Sequence, residues 1–387
     1  MNIEERIAFL KSYNISITEK DIEKNQNIKA IVGMSGGVDS SVCAVLSKLM
    51  GYDTLGIFMK NWEEIDEHGV CSSEADFQDV ISVCEKIDIP YYSLNFSEEY
   101  KEYVFNEFIE EYKKGNTPNP DILCNREIKF KVFYEKVKEF GGDILITGHY
   151  CRNEFINGKM NLLKGLDDNK DQSYFLYAIN EAVLKNVYFP LGHLEKSSVR
   201  EIAHYFDLTT KEKKDSTGIC FIGERNFKNF LGQYINSQKG NFVNLATNEI
   251  LGHHDGMCFY TIGQRKGLGL GGPGGPWFVA RKDIETNTVF VVEGEEHPAL
   301  YANGLICHEL TWITGEITFP LKCRAKIRYR QKDQDCLVTR EASGCLKVMF
   351  DRPQRAISVS QSIVFYDNDI CLGGGQIKEV LEQHFLE

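Results

Sequence analysis

Residues 31–41 read Ile31-Val32-Gly33-Met34-Ser35-Gly36-Gly37-Val38-Asp39-Ser40-Ser41. The apolar run from Ile28 to Val32 predicts a buried strand, and the apolar-periodic segment from Val42 to Leu49 predicts a helix. The glycines, the serines and the carboxylate of Asp39 therefore lie where a strand passes into a helix N-terminus. Such a place attracts anions, because the first-turn N–H groups lack intrahelical partners and the macrodipole is positive there.

This glycine loop differs from two common phosphate-binding motifs. No Gly-Lys-Ser/Thr follows at the Walker spacing, and the pattern is not G-x-G-x-x-G. SGGVDS, residues 35–40, instead resembles the pyrophosphate-binding loop of the PP-loop ATP pyrophosphatases, which split ATP between its α and β phosphates and adenylate a substrate oxygen. The alternative is an ordinary helix capped by an Asx-type turn. The ordered combination of strand, glycine pair, Asp and double Ser disfavours that alternative.

The alternation along residues 28 to about 214 predicts the α/β fold class, with a doubly wound parallel sheet. Strands are predicted at Lys29–Val32, Asp53–Phe58, Tyr91–Asn95 and Asp143–Thr147. Helices are predicted at Phe77–Lys86, Ser97–Lys113 and Arg126–Phe140. Ligands of such sheets bind beyond the carboxyl ends of the strands. The glycine loop, the segment after Phe58 and Gly148-His149 are therefore expected to line one crevice.

The pattern changes after the charged run Lys211–Asp215. Asn226–Asn236 is predicted to be helical, and His253–Trp277 contains GQRKGLGLGGPGGPW, which is typical of a loop-rich small domain or linker. From Phe278 onward, short β-type runs predict a small antiparallel barrel. These runs are Thr288–Val292, Glu316–Phe319, Arg324–Arg330, Cys336–Thr339 and Cys345–Phe350. The predicted division is an N-terminal extension at 1–27, a catalytic α/β domain at 28–214, a small central domain at 215–278 and a C-terminal β-barrel at 279–387.

Composition limits the class of protein. The chain has 387 residues, of which 42% are hydrophobic, enough for two or three domains with real cores. No stretch approaches the ~20 apolar residues that span a membrane. Residues 1–27 resemble neither a secretory nor a transit peptide. Twelve scattered cysteines without a CxxC pair predict a cytoplasmic protein with reduced, mostly buried thiols.

The net charge of −12 argues against a general nucleic-acid binder. One local run is different, because Arg324, Lys326, Arg328 and Arg330 are spaced by two and Lys332 follows. On a strand this period places the side chains on one face, where they would form a basic ribbon along a phosphate backbone. The alternative is a solvated edge strand with protective charges.

A second chemical segment is Thr117-Pro118-Asn119-Pro120-Asp121-Ile122-Leu123-Cys124-Asn125. The two prolines predict a non-helical approach to the helix at Arg126–Phe140, with Asp121 or Cys124 at or near its start. A thiol at a helix N-terminus has a lowered pKa, which makes Cys124 a candidate nucleophile. Asp121 is a candidate general acid/base. The alternative is a buried structural cysteine beside an Asp N-cap.

Cys220 provides a second candidate thiol, because it lies between two glycines in the apolar segment 216–223. Two positioned thiols suggest sulfur transfer, in which one cysteine carries a persulfide and the other resolves it by disulfide exchange. The alternative is again a core cysteine.

A set of motifs occurs in one order along the chain: SGGVDSS, FMKNW, TPNPDILCNREIKF, TGHY, KDQSYFL, DSTGICFIGER, TIGQRKGLG and RYRQ. Together they resemble the bacterial and mitochondrial tRNA-specific 2-thiouridylases from about residue 29 to about residue 366. The resemblance implies an adenine-nucleotide α-hydrolase-like domain, a small central domain and a C-terminal β-barrel. It also implies the conversion of wobble uridine 34 of tRNA to 2-thiouridine. ATP would adenylate the C2 oxygen and release pyrophosphate, and a cysteine persulfide would then deliver sulfur as AMP leaves.

The resemblance assigns roles to individual residues. It implies that Cys124 is the nucleophile, Cys220 the persulfide carrier and Asp121 the acid/base, and that the two cysteines can close as a disulfide. ATP would contact Gly33, Met34, Ser35, Gly36, Gly37, Val38, Asp39, Ser40, Met59 and Gly148. The target base would meet Asn119, Pro120 and Asp121. The tRNA would contact His149, Lys170, Asp171, Gln172, Arg328, Tyr329 and Gln361.

The same resemblance implies the cofactors and partners. They are ATP with Mg²⁺, tRNAs of the Lys, Glu and Gln type, and a cysteine desulfurase or a sulfur-relay protein. No membrane partner, no metal site and a monomer are expected. An iron–sulfur cluster on Asp121, Cys124 and Cys220 is chemically conceivable. A persulfide route needs those thiols uncoordinated, so no permanent cofactor is expected.

Other classes of function remain open at this point. Another PP-loop ligase, such as a tRNA-lysidine synthetase or an amidotransferase-type synthetase, would share the loop but needs no pair of cysteines. A nucleotide-binding switch would bind ATP without consuming it. A tRNA-binding module with a vestigial crevice would have no use for Asp39 and the loop serines.

Overall fold

The computed structural model describes residues 1–62, 72–215, 227–271 and 274–382. The chain forms two compact units. The first, called the α/β unit, comprises Met1–Val104, Asp121–Glu224 and Asp369–Leu372. The second, called the β unit, comprises Phe105–Pro120, Arg225–Asn368 and Gly373–Glu387.

A five-stranded parallel sheet forms the centre of the α/β unit, with strand order β3-β2-β1-β4-β7. This confirms the predicted doubly wound α/β fold class, and the four predicted strands are all present. A β-hairpin, β5–β6, pairs with residues 370–371 and was not predicted. The strands of this unit are β1 Lys29–Met34, β2 Asp53–Lys60, β3 Tyr91–Asn95, β4 Ile144–Ile146, β5 Cys151–Ile156, β6 Lys159–Lys164 and β7 Val187–Tyr188.

Several helices differ in extent from the predictions. The helix after the glycine loop begins at Val38, and the predicted helix Ser97–Lys113 contains a π-helical segment at Lys101–Phe105. The α-helices are α1 Ile3–Ser12, α2 Glu19–Asn25, α3 Val38–Leu49, α4 Ser72–Ile87, α5 Ser97–Tyr100, α6 Asn106–Lys113, α7 Pro120–Leu123, α8 Phe133–Glu139, α9 Ser173–Leu176, α10 Glu181–Leu184, α11 Lys196–Tyr205 and α12 Phe227–Gly232. Short 3₁₀ helices lie at Pro190–His193, Met257–Phe259 and Pro298–Leu300.

The helix that carries Cys124 begins earlier than predicted. It begins with α7 at Pro120, continues through a π-helical stretch, Cys124–Val132, and ends with α8. We call the π-helical stretch the Cys124 segment. Proline is well tolerated at the first position of a helix, where its missing N–H has no intrahelical partner to lose. The prediction treated Pro120 as a helix breaker and therefore placed the start too late.

Helix α3 is the centre of the core of the α/β unit. It is buried along almost its whole length, because it packs on β1 and β2 and is covered by α11. The N-terminal residues also belong to this core. Leu10 of α1 and Ile22 of α2 are fully buried, and Arg6 Nε donates to the Leu49 carbonyl at the end of α3 over 2.8 Å. The N-terminal extension, residues 1–27, therefore packs against the end of α3.

The β unit contains a four-stranded sheet of order β10-β11-β8-β9 and a six-stranded barrel of order β12-β15-β14-β13-β16-β17. Pairing between β12 and β17 closes the barrel, which confirms the predicted C-terminal antiparallel barrel. The strands are β8 Gly240–Asn244, β9 Ile250–His254, β10 Trp277–Asp283, β11 Thr288–Glu293, β12 Tyr301–Trp312, β13 Leu321–Lys326, β14 Gln334–Arg340, β15 Leu346–Arg355, β16 Ser362–Asp367 and β17 Ile370–Glu382.

Two strand predictions in this unit are wrong. Glu316–Phe319 forms no strand in the structure, since β-type residues form a strand only where a partner offers a pleated surface. The predicted strand Arg324–Arg330 ends at Lys326, after which the chain turns. Across the described ranges of the chain, no helix is both long and apolar enough to cross a membrane.

Candidate active site

The glycine loop lies at the carboxyl edge of the parallel sheet, beside the residues that follow β4. Strands β2 and β4 flank β1, so this edge is the topological switch point of the sheet, where ligands of doubly wound folds bind. A Cβ on Gly148 would lie 3.2 Å from the backbone carbon of Asp39 and from the nitrogen of Ser40. The backbone at Gly148 therefore lies directly against the start of α3. We call the region beyond this edge, bordered by the glycine loop and Gly148, the crevice.

The loop is shaped by its glycines and its own serines. Gly36 has a φ of +72°, and a Cβ there would lie 2.5 Å from the carbonyl of Asp76. Gly37 is the N-cap of α3 and makes no side-chain capping bond. The hydroxyls of Ser40 and Ser41 donate to the Gly37 carbonyl over 3.1 Å and 2.8 Å. These serines thus stabilise the turn, and the N–H groups at the start of α3 remain the natural donors to an anion.

Other predicted nucleotide contacts line or support the same edge. Gly33 is the fifth residue of β1, and a Cβ there would meet the ring of Phe133 at 3.3 Å. Met34 ends β1, and Met59 is the penultimate residue of β2; both are buried. The prediction that the ends of β1, β2 and β4 meet at one edge agrees with the strand order.

Asp39 accepts two short hydrogen bonds that tie the loop to distant parts of the chain. Its Oδ1 lies 2.7 Å from the hydroxyl of Tyr150 and 2.6 Å from Nζ of Lys196. Burial and the Asp39 carboxylate both raise the pKa of Tyr150, because each disfavours the phenolate. Tyr150 therefore stays a neutral donor to Asp39.

A second carboxylate extends this network. Asp215 receives Lys196 at 2.8 Å, Lys170 at 2.6 Å and Arg200 at 3.0 Å. Burial alone would raise the pKa of Asp215, but hydrogen bonds from Lys170 and Lys196 outweigh it and hold the pKa at about 2. The charged residues joined here are two carboxylates, Asp39 and Asp215, and three cations, Lys170, Lys196 and Arg200.

Four members of this network, Tyr150, Lys196, Arg200 and Asp215, were not predicted as site residues from the sequence. Tyr150 and Asp215 belong to the TGHY and DSTGICFIGER motifs, and this position within a motif could have marked them as candidate site residues. Lys196 and Arg200 are one turn apart on α11, whose pattern is that of any amphipathic helix. Nothing in the sequence distinguishes them from solvated surface charges.

Asp121 lies near the start of its helix, as predicted, whereas Cys124 lies further along it. Asp121 lies in the first turn of α7, whereas Cys124 is the first residue of the Cys124 segment and is fully buried. Cys124 is thus one turn beyond the helix N-terminus. The adjacent Asn125 donates through Nδ2 to the Phe175 carbonyl over 3.2 Å, which anchors the segment. Asn119 and Pro120 belong to the β unit.

His149 joins the Cys124 segment to the crevice. Lys129 Nζ lies 3.5 Å from His149 Nε2, and the ring of Phe130 lies 5.7 Å from the imidazole. The Oγ1 of Thr147 lies 2.8 Å from His149 Nδ1. Burial, reinforced by Lys129, holds the pKa of His149 well below its usual range, so the imidazole is neutral. This residue, predicted to contact tRNA, is buried here and packs on the helix that carries Cys124.

The predicted tRNA contacts at 170–172 are engaged within the α/β unit. Asp171 is buried and accepts hydrogen bonds from the N–H groups of Gly165 and Ser173 over 3.2 Å and 3.0 Å. Gln172 Oε1 accepts from the N–H of Tyr150 over 3.0 Å. The Gln172 side chain thus helps to hold Tyr150, the residue that donates to Asp39.

The predicted basic ribbon is only partly present. Because β13 ends at Lys326, the later cations do not continue the face of one strand. Lys326 is buried, lies 3.8 Å from Asp333 and packs over the ring of Tyr366. The side chains that remain exposed are Arg324, Arg328, Arg330 and Lys332.

The remaining predicted tRNA contacts of the β unit are fixed by local bonds. Arg328 donates to the carbonyls of Arg355 and Ala356. Gln361 donates to the Thr117 carbonyl, and Tyr329 is half-buried.

Comparison with known proteins decides the family. The tRNA methyl transferase HUP domain model matches residues 28–224, the tRNA methyl transferase PRC-barrel domain model matches 228–293, and the aminomethyltransferase β-barrel domain model matches 302–377. The tRNA-specific 2-thiouridylase MnmA of Protochlamydia amoebophila is 57% identical over 357 residues, covering 92% of this chain and 94% of that relative. The chain belongs to the tRNA-specific 2-thiouridylase family. The MnmA proteins of Alkaliphilus oremlandii and Bacillus subtilis are 52% and 50% identical, each over 92% of this chain and over 99% and 97% of their own lengths.

Membership of the 2-thiouridylase family confirms the resemblance inferred from the ordered motifs. Cys220, the predicted persulfide carrier, lies outside the described residues. The predicted disulfide between Cys124 and Cys220 therefore stays a prediction.

Proposed function

We propose that this protein is a tRNA 2-thiouridylase that uses ATP to activate the C2 oxygen of wobble uridine 34 and replaces that oxygen with sulfur. One observation carries the proposal. The glycine loop and the helix of Cys124 adjoin the same edge of the parallel sheet, with Gly148 against Asp39 and His149 against Lys129. The activating and the sulfur-transferring groups would thus serve one bound base.

The glycine loop supports the activation step. The N–H groups at the start of α3 would hold the phosphates of ATP, and Lys196 and Lys170 would contribute positive charge. Mg²⁺ arriving with ATP prefers oxygen ligands, and Asp39 is the carboxylate of the loop. Transfer of AMP to the uracil C2 oxygen breaks the α–β phosphate bond and turns a poor leaving group into a good one.

Sulfur transfer would then use the two cysteines. The terminal sulfur of a persulfide on Cys220 attacks C2, and AMP leaves with the oxygen. Cys124 attacks the Cys220 sulfur, which breaks the S–S bond and leaves the terminal sulfur on the base. The products are 2-thiouridine and a Cys124–Cys220 disulfide, which an external thiol must reduce before the next cycle. Asp121, in the first turn of α7, would move the proton of the base.

The tRNA substrate is compatible with the acidic chain. Arg324, Arg328, Arg330 and Lys332 provide exposed positive charge on the β unit although the net charge is −12. A wobble base lies in a single-stranded loop, so moving it into the crevice costs less unstacking energy than it would in a duplex. We propose tRNAs of the Lys, Glu and Gln type as substrates, and a cysteine desulfurase or a relay protein as the sulfur donor.

The proposal is tested with purified protein, MgATP, a persulfide donor and tRNA. We expect 2-thiouridine in the tRNA and one AMP for each modified base. Cys124→Ser and Cys220→Ser should each abolish thiolation, whereas Cys84→Ser, at a buried cysteine of α4, should not. Full thiolation by both active-site variants, or release of ADP in place of AMP, would contradict the proposal.

A further inference from the structure

Asn61 carries a buried polar side chain whose amide has no hydrogen-bond partner in the part of the chain that the structure describes. The residue is 1% exposed, and neither Oδ1 nor Nδ2 has a hydrogen-bond partner among the residues that the structure describes. A carboxamide that leaves water without gaining partners destabilises the fold, and native proteins rarely keep such a group without a reason. A ligand that pairs with the amide would be such a reason.

The position of Asn61 points to the crevice. It directly follows β2, whose Phe58 pairs with Met34 at the end of β1. Asn61 therefore follows its strand at the same carboxyl edge at which the glycine loop begins. Ligands of parallel α/β sheets bind beyond this edge.

The residues on both sides of Asn61 are anchored. The Lys60 carbonyl accepts from the N–H of Phe96 over 2.8 Å, and the Trp62 ring packs edge-on against Tyr100 at 6.0 Å. Tyr100 ends α5, which packs against the Cys124 segment. The backbone at Asn61 is therefore held on one side by the sheet and on the other by α5, which packs against the Cys124 segment.

The chemistry of the amide fits the base. A carboxamide presents one acceptor beside one donor. The N3–H and O4 of uracil present one donor beside one acceptor, and the reacting C2 oxygen lies on the other side of N3. Two hydrogen bonds to N3–H and O4 would satisfy both amide groups and leave the C2 oxygen uncovered.

We propose that Asn61 binds the target uracil by accepting from N3–H and donating to O4, and so presents the C2 oxygen for adenylation. This inference rests on the proposed function, since it needs a uracil in the crevice. It adds a substrate-binding residue to the predicted base contacts at 119–121.

The test is Asn61→Leu, which removes both unpaired groups while keeping a similar volume. Replacing an unpaired buried amide by an apolar group is expected to leave the thermal midpoint unchanged or higher. The kcat/KM for tRNA in tRNA-dependent AMP release should fall about tenfold or more, because two hydrogen bonds to the base are lost. The KM for ATP should stay within about twofold of the wild type, because no contact to the nucleotide is removed.

Asn25→Leu is the matched control. Asn25 is also buried, but its Nδ2 donates to the Met50 carbonyl over 2.8 Å, so this variant should lower the midpoint and leave kcat/KM for tRNA unchanged. An unchanged kcat/KM in Asn61→Leu overturns the inference, as does a loss confined to the KM for ATP. A lowered midpoint for Asn61→Leu shows a structural role and also overturns it. Failure of the wild type to release AMP in the presence of tRNA contradicts the proposed function itself.

Discussion

Lys196 Nζ lies 2.6 Å from Asp39 Oδ1, although 157 positions separate the two residues in the chain. The same ammonium lies 2.8 Å from Asp215. Lys196 therefore links the glycine loop to the residue at which the motif of Cys220 begins. A single cation on α11 connects the glycine loop, at its junction with α3, with the start of the segment predicted to carry sulfur.

Lys196→Met should lower kcat/KM for ATP by about a hundredfold, because it removes one charge-assisted bond to the loop and one cation beside the phosphates. The measurement is AMP release against ATP concentration. Lys86→Met is the control, since Lys86 pairs with Asp207 on the exposed surface. Equal activity of the two variants would show that Lys196 has no role in ATP use.

Gly148→Ala should impair ATP use, because its Cβ would lie 3.2 Å from the Asp39 backbone and force the start of α3 to shift. We expect a loss of about tenfold in ATP affinity and about 1–2 kcal/mol in stability. Gly232→Ala is the control, since a Cβ there would meet no atom of the described residues within 4 Å. Equilibrium nucleotide binding and denaturant unfolding measure the two effects. Wild-type ATP affinity in Gly148→Ala would contradict the close approach of the two loops.

Asp215 should stabilise the fold only above strongly acidic pH. Its pKa is held at about 2, below the usual unfolded value of about 3.9, so the unfolded chain binds the proton more readily. The contribution is complete above the unfolded pKa and is lost as pH falls through about 2. Unfolding of wild type and Asp215→Asn between pH 5 and pH 2 should therefore differ most at the upper end. A difference that grows as pH falls would contradict the ion network.

His149 should destabilise the fold as the solution becomes acidic. Burial lowers the pKa of His149 well below its unfolded value of about 6.5, so the unfolded chain takes up a proton that the folded chain refuses. Stability should fall as pH decreases below that value, and His149→Gln should lose less between pH 7 and pH 5. Because the two proteins differ only at position 149, the difference in their pH dependence reports the protonation of His149 and not that of other histidines. Identical pH dependence of the two proteins would show that the His149 imidazole is exposed to solvent and not buried.

The exposed cations of the β unit should set the salt dependence of tRNA binding. Replacing Arg330 and Lys332 by Ala should weaken tRNA binding similarly for all sequences and reduce the slope of log K against log salt by about one per lost phosphate contact. Lys239→Ala, at an exposed cation of the same unit far along the chain from this run, is the comparison. An unchanged slope would show that Arg330 and Lys332 do not contact tRNA phosphates.

Local pattern predicted much of the framework, and its errors have local causes. Strand Tyr91–Asn95 and the glycine loop were predicted correctly, because alternating apolar runs and strand–turn–helix signals are read within a few residues. The helix that begins at Pro120 was predicted to start too late, because proline disrupts a helix interior but is well tolerated at the first position of a helix. The prediction of a basic ribbon was only partly correct, because a spacing of two between cations does not show where the strand ends.

Residues adjacent in the chain were enough to predict the fold class, the strand–turn–helix form of the glycine loop and the pair of candidate cysteines. Folding is needed to bring Lys196 to Asp39, to bury His149 against Lys129 and to leave the Asn61 amide without a hydrogen-bond partner among the described residues. These facts depend on strand order and on the packing of distant segments. Charge and polarity can be read from a sequence, whereas the partners and the solvent exposure that give them their energies exist only in the folded chain.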